Sequence, residues 1–343
     1  MTAHSKSLYI TKTGMTIDPG HAFFNIVGVD KVFNTINVQA YQSLQNAVKL
    51  GVVERHTKLM VFEIAGQTLS IPLQDMAYHH VAQGEQNGQA WVAFFCAACN
   101  MGSVANPVID GEILHFSGTG IYNGMAVMRD AETGSFWEHA TGECIQGSLR
   151  GTHLEITHIQ LLLVEQVLEN TPSALFAVAK QSWLTRLLSY LLLKPMATPE
   201  GHMPAPFRLS MGEQDKRLPE LQLGLGIWIN GKARFYSMET LKNQDNALIN
   251  TLDQESLVIF VDPVAQVPMA HHCNADSYHW DGDTLVLNTG ERIRNGYVQM
   301  TSSEKRQIDA PDQQFVRWYA FAYKFPGCEI FGYQESKSPL GSE

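Results

Sequence analysis

Two stretches far apart in the chain follow one plan, and that repetition limits the folds open to it. VFEIAGQTLSIPL begins at Val61 and GIWINGKARFYSM at Gly226, 165 positions on. In each, apolar and polar residues alternate, a glycine intervenes at Gly66 or Gly231, and the alternation resumes. A period of two marks a half-buried strand, so each stretch reads as a β-hairpin. QAWVAFF before Cys96 then falls against ESLVIFV before Asp262 at an offset of 166. A third pair, LLVEQVLENTPSALFA ending at Ala177 and RWYAFAYKFPGCEIFG ending at Gly332, reads as a short amphipathic helix, a proline and a strand.

Three elements in one order at nearly constant offset indicate duplication more strongly than any one of them. The expected fold is α+β, predominantly antiparallel β, with two β-rich pseudo-repeated halves and a few short helices. On this reading residues 57–180 are the first half, 181–215 a helix and linker, and 216–333 a degenerate second half. Two unrelated β-rich domains sharing common turn chemistry are the alternative. A helix is expected over 182–193, with leucines at 184, 187, 188 and 191 and a stop at Pro195. Tight hairpins are expected at Asp110-Gly111 and Asp281-Gly282.

With 343 residues, 45% hydrophobic and 17% charged, the chain is long enough to bury its cores without disulfides or a structural metal. A net charge of −10 argues against a partner with a phosphate backbone. The first twenty residues lack an apolar run ending in a cleavage site, and the greasiest stretch, 184–193, is interrupted by polar residues. These features lead to the expectation of a cytoplasmic protein with no membrane span and a small-molecule ligand or substrate as partner.

The five cysteines, at 96, 99, 144, 273 and 328, are too few and too uneven in number for a disulfide framework. Cys96 and Cys99 differ from the rest because they close a strand in WVAFFCAACNMG. Two thiolates at this spacing suit a transition metal such as zinc, copper or iron, with further ligands drawn from His79, His80, His115 or His139. His79 and His80 are adjacent, and in a strand at most one of them would face a given ion. A redox pair is the rival reading, although no helix follows to activate the first thiol. Simple packing of both cysteines at a strand end is the third.

Further residues tie the chain to a family. Phe95 precedes Cys96-x-x-Cys99, Ser117-Gly118 is followed by Tyr122-Asn123, and Met128-Arg129-Asp130-x-x-Thr133-Gly134-Ser135-x-Trp137 leads to Gly142-Glu143 and Gly147. Together these resemble the bacterial domain-of-unknown-function family 3179, well over about 57–180 and more weakly over 215–332. The chain departs from that family's common pattern at Ala97, Ala98 and Asn100 around the cysteines, and at His79-His80-Val81-Ala82-Gln83 upstream. The resemblance implies a site and no reaction.

Tyr122, Arg129, Asp130 and Trp137 are the candidate catalytic residues, since a cation, a carboxylate and two donor-bearing aromatics fall within one segment. Asp130-x-x-Thr-Gly-Ser is equally what a tight turn requires. Three functions follow: a metal-dependent enzyme acting on a small polar or anionic substrate, a non-catalytic metal or ligand carrier, and a thiol-disulfide redox protein.

Overall fold

A computed structural model describes residues 8–20, 26, 33–178, 187, 191, 198, 200–300 and 305–333. Each alternating stretch forms a hairpin. Lys58–Ile64 pairs with Gln67–Pro72 across a turn in which Ala65 and Gly66 both have positive φ, at 49° and 71°. Two such residues are what a two-residue hairpin turn demands. Asn230 and Gly231 do the same between Leu223–Ile229 and Lys232–Ser237. The hairpins at Asp110-Gly111 and Gly282 are also present.

The expectation of two α+β halves is corrected by how these hairpins assemble. Strand accounts for 45% of the structure and helix for 14%, and six small sheets are arranged as the blades of a β-propeller. In chain order the blades are built around strands 58–72, 81–106, 116–146, 223–237, 247–272 and 278–307. Helices such as Leu73–His79 and Trp318–Lys324 have seven residues each, too few to form a layer, and they join strands. Alternation identifies a strand but not the sheet it joins, which is why the blades escape a reading by halves.

Repetition is nevertheless present between blades. In the first, Gln160–Leu163 lies antiparallel beside Lys58–Ile64, and Leu175–Ala177 runs parallel to Gln67–Pro72. The fourth blade repeats this order with Asp312–Arg317, Leu223–Ile229, Lys232–Ser237 and Glu329–Ile330. Second and fifth blades share a meander, and their last turns correspond. Cys96 Sγ accepts the Cys99 amide at 3.4 Å where the Asp262 carboxylate accepts the Ala265 amide at 2.6 Å. Asn100 and Gln266 then take positive φ in both.

The first blade buries one face against its own helices, but other cores run across blades. One core unites Phe94, Cys96, Met128 and Trp137 with Phe235, Trp318 and Phe321 of the fourth blade and its helix. The helix expected over 182–193 lies outside the described residues except for Leu187 and Leu191, both exposed. No helix among the described residues is long and apolar enough to cross a membrane.

Candidate metal centre

The second blade ends its strand Gln89–Cys96 in a tight loop that returns as Met101–Asn106. Gly102 makes this return possible. A Cβ there would stand 2.6 Å from the Phe95 ring and 2.8 Å from the Phe94 carbonyl oxygen, so no larger residue fits without moving the loop. The loop directs both cysteines inward, and each is fully buried. Their sulfurs are in bonding contact, with Cα atoms 5.6 Å apart, a spacing that permits a disulfide.

His139 comes from the third blade, in the turn between Phe136–Trp137 and Cys144–Gln146. Its Nε2 lies 3.8 Å from Cys99 Sγ. One donor atom each from Cys96, Cys99 and His139 falls within 4.8 Å of the others, a group of the size that holds one metal ion. Burial pushes the imidazole down to about 4, so it is neutral near pH 7 and offers a lone pair. Cys96 Sγ also accepts the Ala126 amide at 3.5 Å, so two N–H groups point at one sulfur.

Other blades hold these loops in place. The Arg317 amide donates to the Cys99 carbonyl at 3.0 Å, and Asn100 Nδ2 donates to the Phe315 carbonyl at 3.0 Å. Ser103 Oγ donates to the His139 carbonyl. Beside His139, the Glu138 carboxylate accepts the amides of Ala140 at 3.1 Å and Thr141 at 2.5 Å and pairs with Lys324, which is also buried.

The other three candidate histidines stand outside this group. His79 Nδ1 faces the Asn34 carbonyl at 2.6 Å, and His80, in the left-handed conformation at the end of its helix, faces the Phe95 carbonyl at 3.0 Å. His115 is largely exposed and pairs with Glu132 at 2.7 Å.

The family segment is occupied with its own turn. Asp130, fully buried, accepts from the amides of Thr133 at 2.6 Å, Gly134 at 3.1 Å and Ser135 at 3.1 Å, from the Thr133 hydroxyl, and from Trp137 Nε1 at 2.8 Å. Arg129 folds over the same turn, Nε to the Gly134 carbonyl at 3.5 Å. Trp137 packs in the core that contains Cys96 and Cys99. Tyr122 donates to the Thr16 carbonyl and accepts the Asp18 amide, both at 2.8 Å. Glu138 and Lys324 carry no sequence motif, and nothing in the sequence links positions 186 residues apart.

A family model described as a protein of unknown function (DUF3179) matches residues 35–327. No curated protein and no solved structure matches the chain.

Proposed function

We propose that this chain, which belongs to the DUF3179 family, is a metal-binding protein whose centre is Cys96, Cys99 and His139. The observation that carries the reading is His139. A third soft or borderline donor from a different blade meets the two sulfurs in the core, with its backbone carbonyl held by Ser103 Oγ. Two thiolates and one imidazole suit zinc or copper(I) better than a hard cation. All three ligands are buried, so the ion is locked in, as in sites that hold a metal for structure or carriage; catalytic sites keep a position open to substrate. We assign Asp130, Arg129, Trp137 and Tyr122 to building the third blade that presents His139.

Cobalt(II) titration of the reduced protein tests this directly. A thiolate-to-cobalt charge-transfer band that saturates at one equivalent and is lost in Cys96→Ser and His139→Ala supports the centre. A band that survives His139→Ala removes that residue from it.

The bonding contact between the two sulfurs favours a second reading, in which they form a disulfide and the site holds no ion. Burial excludes partner thiols from both sulfurs and so disfavours exchange chemistry. Counting free thiols in denatured protein prepared with and without reductant separates the two: five in the absence of reductant fits the metal reading, three fits the disulfide.

A further inference from the structure

All six blades converge on a cleft of about 390 Å³, with Val61, Ser103, Thr141, Trp228, Met269 and Gln307 as one contribution from each. Its size is at the small end of ligand sites. Among the described residues that line it there is no lysine or arginine, and Asp312 is the single carboxylate. Four carboxamides stand in its polar wall, Gln160, Gln307, Gln313 and Gln314, beside His153 and His158.

One of these amides carries unmet hydrogen-bonding demand, and a second is left uncommitted. Gln314 is only 9% exposed, and its side chain makes no hydrogen bond to any described residue. Gln160 donates its amide to the Gly296 carbonyl at 2.9 Å, but its Oε1 is buried with no partner among the described residues. Buried polar groups are almost always satisfied, so an orphaned oxygen in the wall of a cleft, beside the uncommitted Gln314 amide, points to a molecule that completes them. Trp228, half-buried, adds an aromatic surface to the same wall.

We infer that the cleft is a binding site for a small neutral saccharide, a mono- or disaccharide. A carboxamide both donates and accepts, as a hydroxyl does, and a sugar ring offers a C–H face to an indole. A phosphate or carboxylate would meet no lysine or arginine, only His153, already paired with Glu143, and the exposed His158, so its desolvation would be poorly compensated. The inference is independent of the metal centre, because none of its contacts involves Cys96, Cys99 or His139.

Saturation-transfer NMR on the full chain with glucose, N-acetylglucosamine and maltose, and with glucuronate as the charged control, tests it. At least one neutral sugar should show transfer, and glucuronate should bind more weakly than glucose. Gln314→Leu, close in shape, should weaken the sugar by about tenfold or more. Thr157→Val, at the half-buried rim, should weaken it as well and serves where Gln314→Leu does not fold. No transfer to any neutral sugar overturns the inference. So does glucuronate binding as tightly as glucose, or an affinity unchanged in the folded variants.

Discussion

Lys324→Met is the most informative single change to the packing around the centre. Lys324 is 1% exposed and Glu138 6%, so the pair has left water almost completely. Burial alone drives the lysine well below its ordinary range, and the carboxylate beside it is what favours its charged form. Methionine fills nearly the same volume but leaves Glu138 as an uncompensated buried charge. Breaking a buried pair on one side costs about 3–5 kcal/mol. The Ala140 and Thr141 amides remain as donors to the carboxylate, which places the expected loss near the lower figure. Roughly 2–4 °C per kcal/mol then gives a fall in Tm of roughly 6–12 °C by scanning calorimetry. Adding Glu138→Gln to Lys324→Met removes the stranded charge and should recover part of the loss, a coupling that a double-mutant cycle measures. A Tm within about 2 °C of the parent protein for Lys324→Met would refute the reasoning. It would mean that the pair is solvated or that Glu138 is already protonated.

Asp130→Asn keeps the shape of the side chain but leaves one acceptor oxygen for donors that two oxygens now share, and should cost roughly 2–3 kcal/mol in urea unfolding. Arg129→Lys, which disturbs one long bond to a carbonyl, should cost less than about 1 kcal/mol; a larger effect than Asp130→Asn would reverse the roles given to the two residues. At alkaline pH, Tyr9 is pushed up from 10.0 to about 12 by burial and by its hydrogen bond to Glu143. A folded-state value above the unfolded one gives stability that is present below pH 10 and lost as pH rises through about 12. Tyr9→Phe should therefore be less stable than the parent at neutral pH, by a margin that narrows over that window; a constant difference in urea midpoint would contradict this.

The local chemistry of the chain was easier to read than its assembly. Gly66 and Gly231 mark hairpins because alternation and a flexible turn residue are local signals, and Cys96-x-x-Cys99 announces itself by spacing. The turn role of Asp130 was visible for the same reason, since its amide partners lie within five positions. His139 was one of four candidate histidines, and only the packing of the third blade on the second distinguishes it from His79, His80 and His115. Gln314 and Trp228 carry no motif at all. They face a common cleft because blades distant in sequence converge, and strand alternation is silent on which sheets meet. The offset near 165 residues has its counterpart in the like strand order of the first and fourth blades, and the division into two halves fails at the shared core containing Trp137 and Trp318.

The central claim is the Cys96, Cys99 and His139 centre. X-ray absorption at the metal edge, on protein purified under reducing conditions without chelator, tests it most directly. A first shell of two sulfurs at about 2.3 Å and one nitrogen at about 2.0 Å around zinc is the predicted result, with the nitrogen contribution gone in His139→Ala. A shell of oxygen alone, or a metal-free protein whose reduced Cys96 and Cys99 take up neither zinc nor copper(I), would contradict it.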